Sequence, residues 1–499
     1  MNCTAGQFPS ILVLDGTTGA DRDLIGGKAW SIQRMMSLGI AVPPAFVITT
    51  DACRSHTAGT ALPDDIRRAV PDAVAALESV TGCRFGGSRR PLLVSVRSGA
   101  ATSMPGMMDT VLNLGITDDV ERALAQSGGS TFAADIRRRF GAQFAEIVGA
   151  APPEDPWEQL RLAIIAVIDS WNSPRAVSYR RLRGVSDAGA TAITVQAMVF
   201  GNLDDRSGTG VLFTRNPLTG GAEPYGEWLP GGQGEDVVSG RADARDLADL
   251  AAAMPGLHAE LLAAAARLET DGRDVQDIEF TVESGTLWLL QTRAAKRSPV
   301  AAIRHAVQLK QQGVITAAEA LGRVRPEHVH TLLTPHLDPA ETAATAPVAT
   351  GKPACAGIAT GIVVTDPADA EQRADQGEAV ILARPTTDPE DVAAMSVAAA
   401  VITELGGSTS HAAVVCRELA VPCVVGCGAG VLTSLAGRMV TVDASTGAIY
   451  PGELTVVPAA TVDDPDLALL TRWADAQPVT GAPGSLPELL RQRRMEQFR

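Results

Sequence analysis

Lysine is nearly missing from this chain of 499 residues: Lys28, Lys296, Lys310 and Lys352 are the only ones, and arginine carries most of the positive charge. A bias of that kind reflects genome composition, so a lysine that persists against it is mildly informative. A basic excess is also lacking. The net charge of −15 and a pI near 5.0 exclude a general nucleic-acid or anionic-membrane binder, while leaving room for a local basic pocket for phosphates. No apolar run is long enough to cross a bilayer, and the N-terminus lacks the basic and apolar regions of a signal peptide. A cytoplasmic protein without membrane or nucleic-acid partners is expected. The seven cysteines are odd in number and scattered. Cys423 and Cys427 stand close together, but no second pair and no histidine cluster accompany them, which points to reduced buried thiols over zinc. The Gly-x-x-x-x-Gly-Lys-Ser/Thr pattern of a P-loop is absent. What is present is a 45% hydrophobic, 20% charged composition with little room for long disorder, and a length that accommodates three or four domains.

The most informative stretch is Thr403-Glu-Leu-Gly-Gly-Ser-Thr-Ser-His-Ala-Ala-Val-Val-Cys-Arg-Glu-Leu419. The apolar run from Ala398 to Thr403 reads as a buried strand. Gly406 and Gly407 break it, Ser408 to Ser410 offer helix-capping hydroxyls, and an apolar helix runs from His411 toward Leu419, stopped by Pro422. One imidazole is thereby set at a helix N-terminus beside a glycine turn, a place that favours anions. His411 there either fills a turn or serves as a nucleophile that accepts a phosphoryl group.

Earlier in the chain, Ile11 to Leu14 reads as a strand, and Gly26-Gly27 open a helix with Lys28 in its first turn. Lys28 is either a phosphate ligand at a helix start or a solvated side chain. Val42 to Thr50 is a proline-entered strand. Leu92-Leu-Val-Ser-Val-Arg-Ser-Gly-Ala is a strand with a charge inside an alternating apolar run, and Arg97 at its end suits a phosphate fork. Ser103 to Gly115 reads as a flexible, methionine-bearing loop, with a packed Met-rich corner as the other reading. Residues 117–186 are helical, 192–214 return to strands, and an alanine-rich helical segment spans about 243–268.

Asp277-Ile-Glu-Phe-Thr-Val and Leu287-Trp-Leu-Leu-Gln-Thr-Arg293 form two strands joined by a turn at Glu283-Ser-Gly-Thr286. Glu279 and Gln291 would then place two oxygen ligands on one face, suited to Mg²⁺ shared with nucleotide phosphates, with Arg293 beside them. Polar side chains on an otherwise apolar hairpin need partners. Residues 299–335 are helical, His336 to Lys352 has linker composition, and 353–453 alternates short apolar β runs with helices around His411. The tail combines a Pro/Gly spacer with a basic amphipathic helix from Pro487 to Arg499.

In order along the chain, these stretches resemble the pyruvate, phosphate dikinases over nearly all of residues 24–453. The resemblance rests on Val94-Ser-Val-Arg-Ser-Gly-Ala with Ser103-Met-Pro-Gly-Met-Met-Asp-Thr, Phe213-Thr-Arg-Asn-Pro, Gln233-Gly-Glu-Asp-Val-Val, Asp277-Ile-Glu-Phe-Thr and Gly406-Gly-Ser-Thr-Ser-His-Ala-Ala-Val-Val. The methionine segment looks like the phosphate-using dikinase and not its water-using relative, phosphoenolpyruvate synthase. The resemblance implies an α+β and α/β multidomain fold: an ATP-grasp nucleotide domain at 1–116 and 191–335, a helical insertion at 117–190, a linker at 336–352, a swivelling phosphohistidine domain at 353–453, and a spacer with helix at 454–499. It further implies that Lys28 and Arg97 grip ATP phosphates, that the loop Gly106, Met107, Met108, Asp109 and Thr110 closes over them, and that Gln196 and Met198 line the adenine cleft. Glu279 and Gln291 would hold Mg²⁺, and Asp277 and Arg293 would stand beside the reacting phosphates. His411 would attack the β-phosphorus of ATP, releasing AMP, and inorganic phosphate would then carry off pyrophosphate. Thr409 occupies the position that a regulatory protein phosphorylates in plant relatives.

Two local departures stand out. Ala354-Cys-Ala-Gly357 replaces the family's Ser-Pro-Gly turn, and Ser408 replaces its methionine. The 46 residues that follow position 453 are too few for the pyruvate-binding barrel of about 250 residues. The expectation is therefore the ATP and phosphate half-reaction on His411, with transfer to pyruvate needing a separate barrel protein or another acceptor. The competing expectation is a non-catalytic nucleotide-binding partner of a full-length dikinase.

Overall fold

Alternation decides the first sheet. In Val94–Gly99 the residues Val94 and Val96 enter a large apolar core with Phe46, Ile48, Ile193 and Val195, which turns Ser95 and Arg97 to the opposite face. The computed structural model describes residues 9–100, 104, 107–182, 189–238, 244–332, 336–457, 464–476, 486–487 and 490. The sheet runs in the order Ile11–Leu14, Ala45–Ile48, Ala192–Ala197, Val94–Gly99, Thr110–Leu114, with every neighbour antiparallel. Its core face is covered by Asp64–Thr81, Asp118–Val148 and Pro156–Asp169, through Ile66, Val74, Ile136, Phe140 and Ile164. Thr110–Leu114 is therefore a strand, where a flexible loop was expected; Val111 and Leu114 are fully buried and fix it.

The chain divides into two units, one of residues 1–209, 230–233 and 279–292, the other of 210–229, 234–278 and 293–499. A second five-stranded sheet runs in the order Arg245–Asp246, Tyr225–Pro230, Gly208–Phe213, Gln276–Glu283, Thr286–Ala294. The hairpin turn falls where expected, with Ser284 and Gly285 both at positive φ (48° and 78°). The alanine-rich segment is two helices, Leu247–Ala253 and Pro255–Gly272, because Pro255 cannot continue the first and starts the second.

The second unit contains an eight-stranded sheet. At its centre Ile358–Val364, Val380–Arg384, Ala400–Thr403 and Cys423–Val425 are parallel, flanked by antiparallel Met439–Asp443, Ala448–Pro451, Ala349–Thr350 and Lys352–Cys355. The linker-like stretch is not structureless: it holds His336–Leu337, Pro339–Ala344 and the edge strand Ala349–Thr350. His336–Leu337 pairs with Val456–Val457, so the chain enters and leaves this sheet side by side. The tail also contributes more than a spacer. Pro465–Asp475 buries Leu470 and Ala474 in a core shared with Ile303, Ala306 and Leu321 of Pro299–Gln311 and Ala317–Arg323. The expected terminal helix falls almost wholly outside the described residues.

Among the described residues no helix is long and apolar enough to cross a membrane.

Candidate functional site

In the first unit, phosphate-seeking groups gather at one end of the first sheet. The helix Arg22–Ser37 starts earlier than expected, capped by Asp21, and breaks at Gly26, whose φ is 74°. A Cβ at Gly26 would lie 1.8 Å from the Gly99 carbonyl oxygen, so only glycine allows this close approach. Gly27 N–H donates to the Ala100 carbonyl at 3.0 Å, and a Cβ at Gly99 would touch the Lys28 Cβ at 3.4 Å. Lys28 is thereby pinned where the Arg97 strand ends. The Arg97 guanidinium lies 3.6 Å from a Glu279 carboxylate oxygen and donates to the Gln291 side-chain oxygen at 3.4 Å. Thr110 is the cross-strand partner of Arg97. The hairpin therefore delivers Glu279 and Gln291 to one guanidinium, that of Arg97.

The methionine segment is held from the helical side. Arg175 pairs with the Asp109 carboxylate and donates to the Met107 carbonyl at 3.3 Å, and Asp109 N–H donates to Ser170 Oγ at 3.2 Å. Met107 is buried and Met108 half-buried, so the packed-corner reading describes them; Gly106 lies outside the described residues. Gln196 is buried with its side-chain amide donating to the Pro43 carbonyl at 3.1 Å, while Met198 is half-buried and donates its N–H to the Leu93 carbonyl at 2.9 Å. The Gln196 side chain is thus committed to the sheet.

In the second unit, Arg293 Nε donates to Asp277 Oδ2 at 2.8 Å, while the buried Asp277 Oδ1 has no hydrogen-bond partner among the described residues. His411 opens the helix His411–Leu419, at the carboxyl end of the parallel strand Ala400–Thr403. The neighbouring parallel strand Val380–Arg384 ends beside it, and Leu405 N–H to the Pro385 carbonyl (3.0 Å) keeps the two following loops together. That pairing brings Thr387 to the ring, with its Oγ1 3.1 Å from His411 Nδ1. His411 Nε2 is buried and has no partner among the described residues. Burial pushes the imidazole below its ordinary pKa, opposed by the negative charges of Asp388 and Asp391 and by the Thr387 backbone. Burial therefore favours the neutral ring.

The hydroxyls preceding the ring do not cap its helix. Ser410 is the N-cap, yet its Oγ accepts no capping bond and is unpartnered among the described residues. Ser408 N–H and Oγ each donate to the buried Glu227 carboxylate at 3.1 Å, and Thr409 Oγ1 donates to its other oxygen. The Tyr225 hydroxyl also bonds Ser408 Oγ. A Cβ at Gly407 would stand 2.4 Å from the Glu227 carboxylate, which explains the glycine. Thr387, Asp388, Asp391 and Glu227 carried no sequence signal, since each lies far from the histidine in the chain.

Residues 22–81 and 57–248 match the pyruvate phosphate dikinase AMP/ATP-binding domain, and 376–447 match the mobile domain of PEP-utilising enzymes. Pyruvate, phosphate dikinase 2 of Zea mays is 40% identical over 516 residues, covering 91% of this chain and 58% of that protein. Pyruvate, phosphate dikinase of Rhizobium meliloti (strain 1021) is 39% identical with the same two coverages. The chloroplastic pyruvate, phosphate dikinase 1 of Arabidopsis thaliana is 39% identical over 91% of this chain and 53% of its own length. The chain thus spans little more than half the length of these relatives.

Proposed function

The chain belongs to the pyruvate, phosphate dikinase family, and from that premise we propose that it transfers a phosphoryl group from ATP to His411 in the presence of inorganic phosphate. The observation that carries this reading is the setting of the ring: Nδ1 engaged by Thr387 and Nε2 unpartnered among the described residues at a helix N-terminus, where burial favours the neutral form. With the proton on Nδ1, directed at Thr387, the Nε2 lone pair is the nucleophile. Nε2 attacks the β-phosphorus, the bond from the β-phosphorus to its bridging oxygen on the AMP side breaks, and AMP leaves. An oxygen of inorganic phosphate then attacks the γ-phosphorus, the β–γ bridge breaks, pyrophosphate departs and phospho-His411 remains. Lys28 and Arg97 neutralise the triphosphate, Asp277 orients Arg293 toward the reacting phosphates, and residues 106–110 cover them.

Glu279 and Gln291 are hard oxygen donors that both reach one cation, Arg97, a donor set that fits Mg²⁺ shared with phosphate oxygens. Bound there, Mg²⁺ would screen the charge that accumulates on the phosphates. The domain plan under this reading is an ATP-grasp fold at 1–116 and 191–335 interrupted by the helical insertion 117–190, then the linker 336–352 and a swivelling domain at 353–453. Met198, with the backbone near Gln196, would flank the base. A phosphate on Thr409 would stand against the Glu227 carboxylate and open that contact by like-charge repulsion. Onward transfer to pyruvate, giving phosphoenolpyruvate, requires a barrel from outside residues 1–499.

Incubation with ATP, phosphate and Mg²⁺, followed by mass spectrometry under basic conditions, tests the proposal. A phosphohistidine on the peptide containing His411, lost in His411→Asn and dependent on phosphate, is expected. An unmodified wild type that still binds ATP would instead fit a nucleotide-binding partner protein.

A further inference from the structure

Arg417 lies in the last turn of the His411–Leu419 helix and is 2% exposed. Helical side chains lean toward the N-terminus of their helix, and this one folds back along it. Its Nη1 donates to the Ser408 carbonyl at 2.8 Å and to the Ala354 carbonyl at 3.3 Å. The guanidinium carbon is 5.7 Å from the Phe213 ring centre. Among the described residues no carboxylate lies within ion-pairing distance of it, and its Nε and second terminal nitrogen have no hydrogen-bond partner. Asp277, whose Oδ1 is likewise unpartnered, is the carboxylate whose charge acts on it.

A buried cation with unfilled donors is expensive to keep, and a methionine of similar length would pack at lower cost. Its retention beneath the glycine turn needs a return in function. At Ser408 the anchoring is two-sided: the Glu227 carboxylate holds its N–H and hydroxyl, and Arg417 holds its carbonyl. Together they fix the peptide planes on either side of Ser408, and with them the direction from which the chain enters the His411 helix.

We propose that Arg417 is a positioning residue for phosphoryl transfer, locking the Gly406–Ser410 turn through the Ser408 carbonyl and setting a positive charge that forms no ion pair among the described residues under the end of the helix that receives the phosphoryl group. The proposal rests on His411 being the acceptor, and the test separates the two. In single-turnover phosphorylation by ATP and phosphate, Arg417→Met should slow transfer about 30-fold or more, the loss expected when a hydrogen bond from a charged donor is removed, with the ATP concentration dependence unchanged. Arg417→Lys, which restores charge and one donor, should recover part of the rate. Hydrogen exchange supplies an arm independent of ATP chemistry. Arg417→Met should raise exchange in the 404–411 peptide while Ala400–Thr403 and Cys423–Val425 stay as protected as in wild type. If wild type shows no phosphohistidine, the functional reading fails and the exchange arm still decides the anchoring role. Wild-type exchange at 404–411 in Arg417→Met overturns the proposal. So does a uniform rise across the whole sheet in both variants, which would mark Arg417 as a residue of the fold alone.

Discussion

The proposed role of His411 turns on which ring nitrogen keeps a lone pair and over what pH range. Burial lowers the pKa of the ring, and the charges of Asp388 and Asp391 raise it in part. A base whose folded pKa is depressed favours the neutral form in the folded state. The neutral ring therefore persists as pH falls through the ordinary histidine value of about 6.5, and the fold loses stability below that value as the unfolded chain takes up the proton. Histidine NMR titration should place the His411 midpoint below that value, and Asp388→Asn should lower it further; a midpoint above it would contradict the reading. The sequence made His411 conspicuous because two glycines and three hydroxyl residues precede it. It also suggested a role for those hydroxyls that Ser408 and Thr409 do not play, because their acceptor, Glu227, is 181 residues from Ser408. Thr387, 24 residues before the histidine, was equally invisible, since a threonine in a proline-rich loop has no signature until strand pairing brings it to a ring.

At the level of elements, period-two and helical patterns located most strands and helices, including Met439–Asp443 and the Thr286–Ala294 hairpin partner. Boundaries failed where tertiary contacts overruled local pattern. The first helix extends back to Arg22 and kinks at Gly26 because the chain must pass against Gly99, and nothing local announces that neighbour. Gly26→Ala should therefore destabilise the first unit by about 2–4 kcal/mol, combining a positive φ with a severe overlap. Urea unfolding would measure the loss, and a change under about 0.5 kcal/mol would refute the close approach. The tail helix Pro465–Asp475 carries a local start signal, Asp464 as N-cap before Pro465, but nothing local announces the helices at 299–323 that Leu470 and Ala474 meet.

At the scale of the molecule, a chain of 499 residues places the triphosphate-binding candidates Lys28, Arg97, Glu279 and Gln291 in one unit and the histidine in the other. Each group is assembled from distant segments, Arg97 and Gln291 being 194 residues apart. The motif order suggests that the two groups work together, because phosphate chemistry needs cations, oxygen ligands and a nucleophile together. The central claim is that the middle phosphoryl group of ATP ends on His411. Parallel reactions with ATP labelled at the β- or the γ-phosphorus, each with phosphate and Mg²⁺, test it most directly. Label from the β position should remain on the peptide containing His411, and label from the γ position should leave as pyrophosphate. Retention of γ-label on the protein after phosphate is supplied, or β-label released entirely as a free nucleotide, would contradict the account.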